Sequence, residues 1–197
     1  MTDLIPIVQF PQFPQYKVLA CLVENLSKET IANIKLQLRS ANEAYDYCFC
    51  NTKLIISMEH LYNSIHKSIS NYESGTMQSN TLYAEILLNL SPVNVISNAI
   101  KRFGILEDCS SVIVIKILKN GNYEAGQDLL QLEKELELIE LITKEKPLKI
   151  TDHKLYQLVD LPKFRKIYKL NDAKFEDPNS QGKLTRLAIG ACILRGY

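Results

Sequence analysis

Continuous apolar runs occur at several points of the chain, and each run predicts a buried strand. The runs YKVLACLVE at 16–24 and SVIVIKIL at 111–118 are almost entirely apolar, as in strands that are covered on both faces. The second run is expected to be a central strand. LYAEILLNL at 82–90 alternates apolar residues along most of its length and predicts a further strand, and a short strand is predicted at 53–56.

Helical spacing of apolar residues marks the segments between these runs. Ser57 is an expected N-cap, and apolar side chains then recur at i, i+3, i+4, i+7 and i+11, in the order Met58, Leu61, Tyr62, Ile65 and Ile69. Ser27 is expected to open a helix in the same way. A third helix is predicted over 96–103, with Gly104 placed to end it in a left-handed C-cap.

The last third of the chain is predicted to be largely helical. The charged segment 124–146, with its regular leucines, predicts mostly helix, and a coiled coil is the alternative. Shorter helices are predicted around 155–159 and 164–168, and a last one after Gly182. Together these patterns predict one α/β (α+β) domain over residues 1–197, in which a mixed β-sheet is flanked by helices.

Composition and charge narrow the classes of function. The chain has 197 residues, 46% of them hydrophobic, which is enough for a real core. Its 23 Lys and Arg residues nearly balance 22 Asp and Glu residues, so the formal net charge is only +1. Proteins that bind nucleic acid through their overall field are far more basic. Contact with RNA is therefore expected only from a local basic patch.

The sequence predicts a compartment that keeps thiols reduced. No apolar run approaches the length of a transmembrane helix, and prolines interrupt an N-terminus that carries no basic leader. The cysteines are odd in number and widely scattered, which is typical of reduced, mostly buried thiols. They are Cys21, Cys48, Cys50, Cys109 and Cys192. We therefore expect the protein in the cytosol or the nucleus.

The patterns that carry catalysis or metal binding are represented only by isolated candidates. Cys48 and Cys50 have no second Cys or His pair nearby in sequence to complete a metal site. His60 and His66 are six residues apart, whereas two ligands on one helix need a spacing of three or four. Glu85, inside an apolar run, is expected to be a hydrogen-bonded structural carboxylate; an acid with a raised pKa is the alternative.

These candidates do not assemble a nucleophile, a base and an oxyanion donor. The seven glycines are also dispersed, so no phosphate-cradling loop is predicted. We therefore predict no catalytic residue, no metal and no cofactor. An enzyme whose site is assembled only in space is the remaining alternative.

Two features favour a binding function instead. Lys101 and Arg102 lie beside Phe103 at the end of a predicted helix, where cations suit the helix dipole, or where they form a small phosphate-binding patch. The C-terminal helix has a periodic apolar face that includes Gly190, which costs about 1 kcal/mol relative to Ala in a helix interior. That face is expected either to cover the domain's own sheet or to bind a partner.

Several stretches resemble the family of the PRPK-binding protein (TPRKB in animals), whose fungal and archaeal members are subunits of the KEOPS complex. The most specific is EILLNLSPVNVISNAIKRFGI at 85–105, followed by SVIVIKI and by FRKIYKL at 164–170. Further matches are FPQYKV, NTKLIISMEHLYNSI and the closing RLAIGACILRGY, which looks fungal. The segment 124–146 is longer and more charged than the family pattern. The matches otherwise follow the expected order along nearly the whole chain, as in a yeast orthologue.

The resemblance implies a non-catalytic subunit. Family members bind the N-terminal lobe of a small atypical PRPK-type kinase, which binds the universal enzyme that places threonylcarbamoyl on the adenosine next to the tRNA anticodon. The implied roles are modulation of the kinase and its ATPase activity, and engagement of tRNA through its CCA end. A telomere-linked role is also implied, with a cytoplasmic and a nuclear location.

The resemblance also assigns roles to the two candidate binding features. The apolar face of the last helix becomes the expected kinase contact, through Leu184, Leu187, Ala188, Ala191 and Leu194. The basic residues become the expected tRNA contacts, through Lys101, Arg102 and, as a weaker third, Lys53.

Overall fold

The structure is a computed structural model that describes residues 5–119, 127–172 and 180–195. The strands lie before residue 120, with helices between them, and the described residues from 127 onward form helices and their connections. The strands are β1 (Ile7–Val8), β2 (Tyr16–Val23), β3 (Cys48–Asn51) and β4 (Val112–Lys119). The helices are α1 (Lys28–Arg39), α2 (Met58–Glu73), α3 (Leu82–Asn89), α4 (Ile96–Phe103), α5 (Gln127–Thr143), α6 (Asp152–Leu158), α7 (Leu161–Ile167) and α8 (Ser180–Ile193). The α+β class predicted from the sequence is confirmed.

The contacts within the chain divide it into two compact units. Unit 1 consists of Met1–Cys50 and Ile105–Ile150, and unit 2 of Asn51–Gly104 and Thr151–Tyr197. Each unit is therefore built from two separate stretches of the sequence. A single domain over residues 1–197 stays a prediction.

Unit 1 contains the β-sheet, whose strand order is β1-β2-β4-β3. β1 pairs with β2, and β2 with β4, in antiparallel fashion, with Tyr16 opposite Lys119 and Val23 opposite Val112. β4 lies between two strands, which confirms the prediction of a central strand. Both β2 and the first half of β4 are buried at almost every position, as their continuous apolar runs predicted.

One face of this sheet is covered by α1 and α5. The odd-numbered residues of β2 (Leu19, Cys21 and Val23) belong to one hydrophobic cluster with Ile31 and Ile34 of α1 and with Leu132, Ile139 and Ile142 of α5. α1 begins at the expected cap, because the Ser27 side chain accepts a hydrogen bond from the backbone N–H of Thr30. The predicted helix in the charged segment is confirmed over the part that α5 spans, while residues 124–126 lie outside the described residues.

Unit 2 is a helical assembly centred on α2. The Ser57 side chain accepts from the N–H of His60 and caps α2 as predicted, and the apolar stripe of α2 is buried through Leu61, Ile65 and Ile69. α2 packs on α3 and on α8, and α3 packs on α4.

The strand predicted at 82–90 is wrong, because Leu82–Asn89 forms the helix α3. Its alternating apolar residues arise from burial on all sides, since five consecutive residues from Glu85 to Asn89 are buried. Thr81 supplies the missing start signal, because its hydroxyl accepts from the N–H of Ala84.

Two smaller predictions are also corrected. The predicted strand at 53–56 is wrong: the strand β3 ends at Asn51, and Thr52–Leu54 is a 3₁₀ turn that Asn51 caps by accepting from the N–H of Lys53. Gly104 ends α4 in an extended conformation, with φ −74° and ψ 177°, and not in the left-handed region. A Cβ at Gly104 would lie 2.7 Å from the carbonyl oxygen of Ile100, so close backbone approach explains this glycine.

Candidate partner-binding site

Helix α8 is fixed to the rest of unit 2 by hydrogen bonds along its first half. The side chain of Gln181 donates to the carbonyl oxygens of Ile56 and Asp152, each at 2.8 Å. The hydroxyl of Thr185 lies 2.9 Å from that of Ser57. These bonds hold one side of α8 against the start of α2. They thereby determine which side chains of α8 stay exposed to solvent.

The five apolar side chains predicted for kinase binding separate into two groups. Leu184 and Ala188 are fully buried within unit 2 and pack inside the unit. Leu187 is 42% exposed, Leu194 is 66% exposed, and Ala191 is partly exposed. The exposed members follow the spacing i, i+4, i+7. Leu194 comes directly after the last residue of α8, and its N–H still donates to the carbonyl oxygen of Gly190, so the three share one side of the helix. We call Leu187, Ala191 and Leu194 the outer face of α8.

Gly190 lies in the same part of the helix. A Cβ built at Gly190 would meet no atom within 4 Å. No contact in the described structure therefore explains a glycine here, although it lowers helix stability by about 1 kcal/mol relative to Ala. The space in front of Gly190 is open to an approaching backbone.

A groove of about 830 Å³ adjoins the C-terminal end of α8. The basic side chains that line it are His66, Lys67 and Arg195, and Ile193 and Leu194 supply an apolar edge. The remaining lining residues are Asn63, Asn71, Thr76, Gln78, Asn89 and Cys192, so none of its described lining residues is acidic. The groove therefore combines basic and apolar lining residues.

Arg195, which the sequence analysis missed, fixes this end of the helix. Its guanidinium donates to the carbonyl oxygens of Leu88 and Ser91 and to the side-chain oxygen of Asn89, where α3 ends. Cations favour helix C-termini, because carbonyl groups there lack partners within the helix. Ile193, which is 62% exposed and lines the groove, was also missed, because it does not share the helical spacing of the predicted apolar face.

The basic residues predicted for tRNA binding are linked through one buried side chain. Asn51 donates from its amide to the carbonyl oxygen of Arg102 at 3.2 Å and accepts from the N–H of Lys53 at 2.9 Å. The backbones of Lys53 and of the end of α4 are thereby held together, and Lys101 is exposed there. No signal in the sequence indicates the link to α4, because Arg102 lies 51 residues after Asn51.

Further basic residues lie near this junction. The carbonyl oxygen of Lys53 accepts from the N–H of Asp160 at 2.9 Å, and α7 follows directly with Arg165 and Lys166 in its last turn.

The two units also differ in charge. Unit 2 carries 13 Lys and Arg against 8 Asp and Glu, whereas unit 1 carries 10 against 14. The near-neutral chain therefore has a basic unit and an acidic unit.

Glu85 is a structural carboxylate, as expected, although on a helix. It is fully buried and accepts from the amide of Asn71 at 2.7 Å, from the hydroxyl and N–H of Ser79, and from the N–H of Gln78. Burial opposes ionisation, but these four donors together hold the pKa of Glu85 below its usual value. The carboxylate thus ties the loop before α3 to α2.

His60 is buried in unit 2 in a single, neutral tautomer. The hydroxyl of Tyr168 donates to the carbonyl oxygen of Leu90 at 2.6 Å, so its contact with His60 Nε2, at 3.0 Å, requires that nitrogen to carry the proton. Nδ1 is buried and has no hydrogen-bond partner among the described residues. Burial lowers the pKa of His60 to about 4, because a second proton would have no acceptor.

This histidine predicts a pH dependence of stability. Its pKa is about 4 in the folded chain and 6.5 in the unfolded one, so the unfolded chain takes up the proton first as pH falls. The stabilisation is fully present above pH 6.5 and is lost progressively between pH 6.5 and 4, by about 3 kcal/mol. Urea unfolding across this range should show the loss. His60→Gln, which keeps a donor for Tyr168, should flatten the profile, and equal slopes in the two proteins would contradict this role.

Cys48 and Cys50, the pair considered for metal binding, lie close together in β3. The sulfur atoms of Cys48 and Cys50 are 3.5 Å apart and buried, and the hydrogen bond between them together with burial raises the pKa of Cys48. The five cysteines are free thiols. In the part of the chain that the structure describes, no group of three or more His, Cys, Asp or Glu side chains could hold a metal ion. No helix there is long and apolar enough to cross a membrane.

Comparison with known proteins identifies similar chains over nearly the full length. The sequence model of the family described as kinase binding protein CGI-121 matches residues 23–196. The chain is 47% identical to the EKC/KEOPS complex subunit CGI121 of Candida albicans, over 97% of this chain and 98% of the relative. It is 45% identical to the subunit of that name from Debaryomyces hansenii, over 96% and 97%. The counterpart from Schizosaccharomyces pombe is 28% identical over 95% and 98%.

Proposed function

Because the chain belongs to the family of the kinase binding protein CGI-121, we propose that it is the subunit of an EKC/KEOPS complex that binds the small atypical kinase of that complex. The observation that carries this proposal is the family match over residues 23–196, and the exposure of the outer face of α8 supports this face as the contact surface. The subunit is non-catalytic. A binding titration against the cognate kinase tests the proposal.

The outer face of α8 has the chemistry of an interface centre. Leu187 and Leu194 expose apolar surface on a helix that is fixed in place on its other side, so little conformational freedom is lost on binding. Stable interfaces concentrate their binding energy in a few such side chains, which become fully desolvated in the complex. Leu184 and Ala188 support this face from inside the unit and do not themselves contact the kinase.

The residues that line the groove beside α8 indicate which side chains the contacting surface of the kinase should carry. Lys67 and Arg195 offer positive charge, and none of the described lining residues is a carboxylate. An apolar patch on the kinase would cover Leu187 and Leu194, while acidic side chains at its edge would face the groove. Such charge complementarity fixes the orientation of partners and speeds association.

The consequences of binding reach beyond the kinase itself. In this proposal the subunit modulates the kinase and its ATPase activity, and through the kinase it supports the enzyme that attaches threonylcarbamoyl to the adenosine next to the tRNA anticodon. The protein acts in the cytoplasm and the nucleus. A telomere-linked role of the same complex belongs to the proposal as well.

A second candidate function is that of an adaptor that engages the CCA end of tRNA and delivers it to the complex. The observation that favours it is the basic excess of unit 2, which contains Lys53, Lys101 and Arg102 around the buried Asn51. Lys and Arg side chains bind phosphate groups and release the ions that accompany RNA. The two functions are compatible, because the α8 face and the α4 junction use different residues.

Reversal of charge at the α4 junction tests the adaptor function. Lys101→Glu combined with Arg102→Glu should weaken tRNA binding by about tenfold or more and should lower its salt dependence, because each lost phosphate contact removes about 0.7 to 0.9 from the slope of log K against log salt. Filter binding at several salt concentrations measures both quantities.

The control is a matched change of charge in unit 1. Lys146→Glu combined with Lys149→Glu alters the net charge equally at exposed sites outside unit 2. It should affect tRNA binding much less. Equal losses in the two double variants would mean that only net charge matters, and the adaptor site would be misplaced.

A further inference from the structure

Helices α1 and α5 form the outer layer of unit 1 on one face of its sheet. Both contribute to the hydrophobic cluster that includes Leu19, Cys21 and Val23 of β2, and α1 and α5 also contact each other. Because their inner faces pack on the same side of the sheet, their outer faces form one continuous side of this unit. The EKC/KEOPS proposal above makes no use of this surface.

The part of this surface contributed by α1 is basic around an exposed leucine. A groove of about 490 Å³ is lined by Lys28, Ala32, Lys35, Leu36 and Arg39 of the helix, together with Glu107. Leu36 is 62% exposed in the middle of the helix. Lys35 pairs with Glu107 at 2.8 Å, and Lys28 and Arg39 lie on either side. Glu29 is the acidic residue of this helix, so its charge remains positive.

The part contributed by α5 has the opposite charge around exposed leucines. Leu141 is 75% exposed, and Leu130 and Leu138 are also exposed. The acidic side chains exposed among them are Glu133, Glu137 and Glu140, against one exposed Lys134. The exposed leucines are grouped on two neighbouring helices, whereas the apolar residues of an ordinary protein surface are scattered singly.

We propose that a second copy of this chain docks on this surface, with α1 of each copy lying against α5 of the other. A two-fold axis that runs between the two helices and along the layer exchanges their positions, so one rotation creates both contacts at once. Each contact then places Lys28, Lys35 and Arg39 opposite glutamates of α5. The exposed leucines of the two helices become the apolar centre of the interface.

Sedimentation equilibrium of the full chain over a range of micromolar concentrations tests the proposal. The weight-average mass should rise from 22.5 kDa toward twice that value as concentration increases. Added salt should shift the equilibrium toward the monomer, because it screens charge pairs that are still partly exposed. Leu141→Glu should keep the chain monomeric without unfolding it, since this side chain is mostly in solvent. Leu187→Glu, on α8, should leave self-association unchanged.

Charge reversal and its rescue identify the pairing. Lys35→Glu with Arg39→Glu should prevent association, and Glu137→Lys with Glu140→Lys should do the same. The chain that carries all four changes should associate again, because both contacts regain opposite charges. A chain that stays monomeric at every concentration overturns the proposal, and so does a dimer that none of these changes disturbs.

Discussion

Leu187→Glu is expected to lower the affinity of the chain for the small EKC/KEOPS kinase by at least about 30-fold, equivalent to about 2 kcal/mol for one interface hot spot. The substitution places a carboxylate on the outer face of α8, where binding would remove it from water without a partner. It should leave the fold intact, because 42% of this side chain is exposed in the free chain. Isothermal titration calorimetry measures the affinity, and circular dichroism with thermal unfolding checks the fold.

The matched control is Leu141→Glu, the same change at an exposed leucine in unit 1. It should bind the kinase as the unchanged chain does. Gly190→Ala adds a further comparison. Alanine should stabilise α8, whereas its methyl group should obstruct the backbone of the kinase and so weaken binding. If Leu187→Glu binds normally, the kinase does not contact this face of α8, whatever the effect of the other two variants.

Glu85→Ala is expected to lower the free energy of unfolding by at least about 3 kcal/mol, because three buried donors and one partly buried donor lose their common acceptor. The loop at Gln78 and Ser79 would lose its attachment to α2. Urea unfolding at neutral pH measures this loss. The contribution of Glu85 is present above pH 4.5, the usual pKa of the group, and is lost as pH falls through its lower folded value.

Two variants separate this network from general effects. Glu59→Ala removes an exposed carboxylate from the first turn of α2 and should change stability by no more than about 0.5 kcal/mol. Glu85→Gln keeps the size of the side chain but turns an amide group toward donors, so it should fall between the other two. A loss of less than about 1 kcal/mol for Glu85→Ala would show that the four hydrogen bonds contribute little.

Elements with a long and regular pattern were predictable from the sequence. β2 and β4 show it through continuous apolar runs, and α2 shows it through a helical stripe that starts at a capping serine. In each case the local pattern and the tertiary burial agree, because one side or both sides of the element face a core. The N-caps at Ser27 and Ser57 were equally readable, since the capping bond is made within three residues.

α3 could not be predicted from periodicity, and the reason is physical. A helix that is buried on all sides has no polar side, so the period of 3.6 disappears, and apolar residues at every second position imitate a strand. The buried Glu85 was a signal of a different kind. Its partners Asn71, Gln78 and Ser79 precede α3 and become neighbours only when the chain folds back.

The candidate binding residues were predictable by position but not by orientation. The apolar residues of α8 span an arc of about 120° around the helix. Only part of this arc packs against the rest of unit 2, so some of these residues are buried and others are exposed. Leu184 and Ala188 fall inside, and Leu187 and Leu194 fall outside. The hydrogen bonds of Gln181 and Thr185 set the orientation of the helix. Their partners Ile56 and Ser57 lie more than 100 residues away in the sequence.

The association of Lys53 with Lys101 and Arg102 shows the same limit. Each residue could be picked out by its charge, but their proximity depends on Asn51, which pairs across 51 residues with the end of α4. The opposite charges of the two units were also hidden in a net charge of +1. The division of the chain reveals them, because each unit combines distant segments.

The most direct test of the central claim is a calorimetric titration of the unmodified chain against the cognate small EKC/KEOPS kinase, with both proteins shown to be folded. We expect one-to-one binding with a negative heat-capacity change, because apolar surface on α8 leaves water. The same kinase should fail to bind Leu187→Glu at the concentrations used. Absence of binding between the two folded, unmodified proteins would contradict the claim that this chain is the kinase-binding subunit.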